Sequence, residues 1–258
     1  MAKVLVIVPF PLNEKNLAQR AAQQKAAKFG PDISFDYRPV RAAPSNYVSH
    51  HDYLLADLGM LEAGLSAQDD GYDAVCIDTM SDSGVNALRS VLDIPVFGPG
   101  RLSFLTALML GEKFSVLSMW DGWRGLYTKT LAELGLAGKC ASIRSIGIQP
   151  DNRNLLAGKE DEVHPLLYEA AMKAIEEDGA DVICLGSTTM HESHAYLRQR
   201  LPVPIINPGP LSYKIAEAVL GLGLTHSRKA YPKPLVQKDA LYHIMLDAAA
   251  EAEGADPA

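Results

Sequence analysis

Two short runs of the chain combine small hydroxyls with acid–base groups. Residues 78–84 read Asp-Thr-Met-Ser-Asp-Ser-Gly, and residues 186–194 read Gly-Ser-Thr-Thr-Met-His-Glu-Ser-His. The hydroxyls of Thr79 and Ser187, backed by Ser81, Thr188 and Thr189, suit a carboxylate. Helix N-termini beside them would add backbone N–H donors and partial positive charge. The same residue types also cap ordinary helices, so capping alone is a sufficient alternative. An aliphatic hydroxyl is too weak an acid to rest as a base, so any chemistry needs a stronger group nearby. His191 is the histidine nearest Ser187 and the candidate base for a hydroxyl or a water; a plain surface helix start with Glu192 is the alternative. Asp78 is the candidate carboxylate, better placed than Asp82 because it falls at the end of an apolar run. His191 and His194 stand three apart, one residue short of the H-E-x-x-H zinc spacing, so no metal is expected.

Three further segments offer substrate contacts. Pro9-Phe10-Pro11-Leu12-Asn13 follows the first apolar run and brings Pro11 and Asn13 to the same end as the hydroxyls. Ser45–Tyr53 packs two tyrosines, two histidines and an aspartate into nine residues, a density that suits a flap, with Tyr47 as its contact. Trp120-Asp121-Gly122-Trp123-Arg124 holds both tryptophans of the chain, which would form an apolar wall with Trp120 as the contact, beside a carboxylate clamp from Arg124. Pro208 marks a Pro-Gly stop close to the second hydroxyl run.

The elements that must position these groups are written twice. Residues 73–103 and 181–212 share a pattern in which Asp73, Cys76, Leu88, Arg89, Pro95, Pro99, Gly100, Leu102 and Ser103 match Asp181, Cys184, Leu197, Arg198, Pro204, Pro208, Gly209, Leu211 and Ser212. Val4–Val8, Ala74–Ile77, Phe114–Leu117 and Val182–Leu185 are apolar on both faces, as strands buried in a parallel sheet must be; Ile94–Phe97 and Val203–Ile206 are shorter runs of the same kind. Helical spacing is read over Leu17–Phe29, Asp57–Ala67, Arg124–Leu134, Glu162–Glu177 and Ile215–Leu222. The alternation predicts an α/β protein of two pseudo-symmetric parallel lobes with the site at their interface. The first lobe is placed at 1–98, the second at 99–212, with the chain returning to the first lobe over 213–250. The acidic tail 251–258 is expected to fray.

Composition bounds the rest. The 258 residues are 48% hydrophobic and 21% charged, which is ample for a packed core. Lysine and arginine total 24 against 31 acidic residues, a net charge of −7 with the basic residues scattered, so neither nucleic acid nor an anionic membrane is expected as a partner. No apolar run reaches bilayer length, no secretory leader is evident, and three unpaired cysteines point to a reducing compartment, so a cytoplasmic location is expected. Neither G-x-G-x-x-G nor a P-loop occurs, and nothing marks a pyridoxal lysine, so no cofactor is expected. The partner expected is a small molecule; homo-oligomerisation stays open.

Tyr-Asp-Ala-Val-Cys-Ile-Asp-Thr-Met-Ser-Asp-Ser-Gly-Val over 72–85 and Asp-Val-Ile-Cys-Leu-Gly-Ser-Thr-Thr-Met over 181–190 resemble the two motifs of the aspartate/glutamate/hydantoin racemase superfamily, with the hydantoin racemase branch nearest. The resemblance covers nearly the whole chain and implies a two-lobe fold in which one cysteine from each half flanks the substrate's stereocentre. The matching positions here carry Thr79 and Ser187, and Cys76 and Cys184 stand three residues earlier, inside the strands. Pro9–Asn13 also replaces the Asn-Pro-Asn run of hydantoin racemases. The resulting expectation is an enzyme acting on a small carboxylate or a cyclic amide or imide by a thiol-free mechanism, hydrolytic or of the lyase or decarboxylase type. A racemase with a non-cysteine base and a non-catalytic ligand-binding paralogue are the alternatives.

Overall fold

The structure is a computed structural model that describes residues 1–149 and 160–255. Two four-stranded parallel sheets form its frame. The first has strand order β2-β1-β3-β4, built from β1 (Ala2–Val8), β2 (Ile33–Pro39), β3 (Ala74–Ile77) and β4 (Val96–Phe97). The second has order β6-β5-β7-β8, from β5 (Phe114–Ser118), β6 (Cys140–Ser145), β7 (Val182–Leu185) and β8 (Ile205–Ile206). The duplication extends to register. Val6, Cys76 and Phe97 lie in one row of the first sheet, as Val116, Cys184 and Ile206 do in the second. Thr79 and Ser187 thus each fall three residues past the cysteine of the equivalent strand.

Helices α1 (Glu14–Ala21), α2 (His50–Gly64) and α3 (Val85–Val91) belong to the first half, and α5 (Arg124–Glu133), α6 (Glu160–Glu176) and α7 (His191–Arg198) to the second. Two helices exchange sides. α4 (Pro99–Leu110) leaves the first sheet but buries Phe104 and Ala107 in the core of the second, where the Phe104 ring stacks on Phe114 at 5.2 Å. α8 (Pro208–Gly221) leaves the second sheet and buries Tyr213 and Ala216 against Val4, Val6, Ala74 and Cys76 of the first. It starts at Pro208, ahead of 213. Each helix opens on Pro at its first turn, where the missing N–H costs nothing.

The sequence reading did not include β2, β6, α3, α4, α7 or the last helix, and it started α2 too late. β2 and β6 are edge strands, half-exposed along their length, so they alternate polar with apolar residues instead of running apolar. Cys140 accordingly starts β6. α2 begins at His50, seven residues early, because Ser49 and Asp52 form a capping box. α9 (Asp239–Ala255) packs on α2, and polar contacts help to fasten it: His243 Nδ1 meets the buried Glu62 carboxylate at 2.6 Å, Arg41 pairs with Asp247, and Ala43 N–H donates to Glu253 at 3.1 Å. That helix extends through the stretch expected to fray as far as Ala255; residues 256–258 lie outside the described residues. Among the described residues no helix is long and apolar enough to cross a membrane.

The loop after β3 is fixed by Asp82, the one non-glycine residue in the left-handed region among the described residues, at φ 52°. Its carboxylate caps α4, accepting from Gly100 N–H at 2.8 Å and from Arg101 N–H at 2.8 Å and Nε at 3.0 Å. Gly100 has no room for a side chain, since a Cβ would collide with the Met80 carbonyl and the Asp82 carboxylate. Gly100→Ala should therefore destabilise the protein by ~1–3 kcal/mol, as overpacking does. Gly221→Ala, where a Cβ meets nothing within 4 Å, should be neutral or stabilising. Urea denaturation midpoints of the two variants measure both.

Candidate active site

In parallel sheets the carboxyl ends of the strands, with the helix N-termini that follow, form the open end of the architecture. Here the two sheets turn those ends toward a shared cleft. The cleft is lined by Pro9 and Phe10 after β1, Arg20 on α1, Tyr47 before α2, Asp78–Met80 after β3, Trp123 and Leu126 at the start of α5, and Gly186–Thr189 after β7. Its empty space is about 350 Å³ including the mouth, which limits a ligand to a compact small molecule.

The hydroxyls come in two matching sets. Thr79 Oγ1 bonds Ser81 Oγ at 3.2 Å, and Ser81 Oγ bonds Ser83 Oγ at 2.9 Å. Across the cleft Ser187 Oγ bonds Thr189 Oγ1 at 2.8 Å and accepts from Thr189 N–H at 3.2 Å. Thr79 and Ser187 are the leading residue of each set, and both reach the cavity. Thr188 Oγ1 crosses between the halves and donates to the Asp78 carbonyl at 3.1 Å. Capping and site-lining are therefore both realised at Ser187: its hydroxyl caps the short turn Thr188–Met190.

Asp78 has a fully buried carboxylate. Gln23 Nε2 donates to its Oδ1 at 3.1 Å, and Arg20 Nε stands 3.0 Å from its Oδ2. Gln23 is in turn pressed by the backbone of Gly209, where a Cβ would collide with the Gln23 amide. Asp82, the other acid of that loop, points away to α4.

Of the residues expected from sequence, Asp78, Thr79, Tyr47, Ser187, Thr188 and Thr189 line the cleft together. The others do not. Ser81 is buried behind Thr79 as its hydrogen-bond partner. Asn13 caps α1 by accepting from Asn16 N–H at 2.9 Å, and Pro11 is exposed. Pro208 starts α8, and its neighbour Gly209 touches the site through Gln23. Trp120 is half-buried under Gly122, and Trp123 takes the wall position instead, with its Nε1 donating to Asn46 Oδ1 at 2.6 Å. Arg124 donates to the Ile143 carbonyl at 2.9 Å and is mostly exposed, so it is no clamp. His191 opens α7 directly behind the Ser187 turn without lining the cavity. Burial holds its pKa below the ordinary 6.5. The 45–53 segment splits, with Tyr47 in the wall, donating to the Pro9 carbonyl at 3.2 Å, and His50 to Tyr53 in α2.

Sequence reasoning missed Arg20, Gln23 and Leu126, and reached Phe10 and Trp123 only as members of their segments. Arg20 sits in the last turn of α1, in an Ala/Gln-rich stretch; its 4% exposure is set by packing between halves that no local pattern reports.

Residues 15–216 match the profile of the Asp/Glu/hydantoin racemase family. The chain belongs to that family. It is 30% identical to the hydantoin racemase of Pseudomonas sp. (strain NS671) over 197 residues, spanning 75% of this chain and 77% of that one. It is 28% identical to the hydantoin racemase of Paenarthrobacter aurescens over 236 residues, 90% and 97% of the two chains. Among solved structures, allantoin racemase from Pseudomonas fluorescens superposes with a TM-score of 0.80 at 27% identity, covering 92% of this chain and 98% of that one. An arylmalonate decarboxylase shares the fold at 19% identity, with a TM-score of 0.62 over 87% and 94% of the chains. The fold thus places this chain on the hydantoin racemase side of the family.

No thiol reaches the cleft among the described residues. Cys76 and Cys184 are fully buried, and burial pushes both thiols far above their usual range; Cys140 is pushed up to about 11, again by burial. In the folded protein a thiol-specific disulfide reagent should label Cys140 slowly, and Cys76 and Cys184 only after denaturation. Mass spectrometry of a labelling time course reads this, and fast native labelling of either strand cysteine would contradict it.

Proposed function

We propose that this chain is a cofactor-independent enzyme that acts on a compact small carboxylate or cyclic amide or imide by a thiol-free mechanism, at the cleft between Thr79 and Ser187. One observation carries the reading: the positions that face each other across the seam of the two halves present hydroxyls, and all three thiols lie elsewhere. The two hydroxyls and the helix N-termini behind them bind the substrate's oxygens and stabilise negative charge as it develops.

The acid–base equipment is one-sided. The first half ends β3 with the Asp78 carboxylate; the second half has Gly186 at the equivalent point, and the Tyr127 hydroxyl occupies the space, donating to the Gly186 carbonyl at 2.8 Å. Two-base racemisation needs a proton acceptor and a donor on opposite faces of one carbon. A carboxylate on one side only, with His191 on the other side but outside the cavity lining, favours chemistry that moves one proton, as in hydrolysis or a lyase or decarboxylation step. His191, behind the Ser187 turn, is assigned as the base that acts through a water. Racemisation is the second reading, favoured by the names of the relatives. Solvent deuterium appearing at the stereocentre of recovered, otherwise unchanged substrate would select it.

A panel of small carboxylates, hydantoins and cyclic imides identifies the substrate. On it, Thr79→Ala and Ser187→Ala should each lower kcat/KM about tenfold, the scale of one hydrogen bond of ~1–2 kcal/mol in a desolvated site. His191→Ala should lower kcat by ~10²–10⁴. Because burial lowers the His191 pKa from 6.5, its ring is neutral at pH 7, and the wild-type rate should fall only on acidification below that value. Unchanged kinetics in all three variants would refute the assignment.

A further inference from the structure

Arg20 is an unusual residue to find in this cleft. Its side chain is 5% exposed, and among the described residues lining the cavity it is the one cation, facing Asp78 as the one carboxylate. Burying two charges costs several kcal/mol per ion, and a pair kept for structure alone spends its donors in paired, bidentate geometry. This pair does not. Arg20 Nε stands 3.0 Å from Asp78 Oδ2 as an ion pair without hydrogen-bond geometry, the second Asp78 oxygen accepts from Gln23, and Arg20 Nη1 is buried with no hydrogen-bond partner. A guanidinium donor held out of water and left unspent, in a cavity otherwise lined by hydroxyls and apolar side chains, lacks an acceptor of its own size. Phe10, Tyr47, Trp123 and Leu126 make the remaining wall apolar, with the Phe10 and Tyr47 rings edge-to-face at 5.5 Å.

We infer that Arg20 is the specificity-determining residue of the site, and that its free guanidinium edge anchors the carboxylate of a compact monocarboxylate whose apolar substituent lies against Phe10, Tyr47, Trp123 and Leu126. Asp78 and Gln23 then act as positioning residues that hold the guanidinium in place. The inference rests on the cleft being the substrate site, and chooses the carboxylate over the neutral cyclic amide or imide. With one cation in the cavity, already half neutralised by Asp78, a second carboxylate on the ligand would find no partner.

Isothermal titration of the full chain with benzoate and benzamide, an anionic and a neutral ligand of the same shape, tests it. Wild type should bind benzoate at least tenfold more tightly than benzamide. Arg20→Lys should keep part of that preference. Arg20→Gln/Asp78→Asn removes both charges, so no buried ion is left unpaired, and should bind the two ligands equally while keeping its circular dichroism and melting temperature. A wild type that binds benzamide or hydantoin as well as benzoate overturns the inference and leaves the cleft as the ligand site. A preference for benzoate that survives in the double variant also overturns it. Binding of neither ligand in the cleft would overturn the site reading and the inference with it.

Discussion

The Asp78 carboxylate at the end of β3 is the joint on which the arrangement depends. A buried charge of this kind needs partners, and those come from elements far apart in the chain: an ion pair to Arg20 at one oxygen and a hydrogen bond from Gln23 at the other. Arg20 and Gln23 come from the segment after β1, and Gln23 is held by the Gly209 backbone at the start of α8. The Asp78 carbonyl in turn receives the Thr188 hydroxyl from the second half. One residue therefore ties the first sheet, the returning helix and the opposing hydroxyl turn into one geometry. The cleft is the space left beside that joint.

Duplication supplies the frame, and departure from duplication supplies the chemistry. The two sheets share strand order and register, and the exchanged helices α4 and α8 bury equivalent faces, with Ser103 of α4 beside Cys184 and Ser212 of α8 beside Cys76. The symmetry fails where the site begins. A Cβ at Gly186 would lie 2.5 Å from the Tyr127 hydroxyl, so the second half has no room for the carboxylate that the first half carries. A pseudo-symmetric cleft with unlike ends binds one substrate orientation. A family built around matched groups on two faces can thus support a reaction that treats the faces differently, since function resides in the site and not in the fold.

The sequence was most legible where burial is complete and local. The four apolar strands, the Pro-Gly stops and the repeat were all readable because a strand covered on both faces shows no alternation. β2 and β6 were not, since an edge strand dilutes its apolar signal, and α9 was not, since its apolar contact narrows to Tyr242 and Leu246 and polar contacts to Glu62 and Arg41 supplement it. At the site, strand-end residues such as Asp78, Thr79 and Ser187 followed from position alone. Arg20 did not, because its burial is produced by the meeting of the two halves. Of the two tryptophans read as one wall, only Trp123 lines the cleft, three residues along a tight turn from Trp120.

The central claim is that the cleft works without a thiol. Turnover of the triple variant Cys76→Ala/Cys140→Ala/Cys184→Ala, compared with wild type on a panel substrate the wild type converts, tests it most directly. The account predicts a folded protein whose kcat/KM stays within a few-fold of wild type, since the cysteines only pack the strands. A folded variant that has lost activity, with the melting temperature retained, would contradict it and assign the chemistry to a thiol.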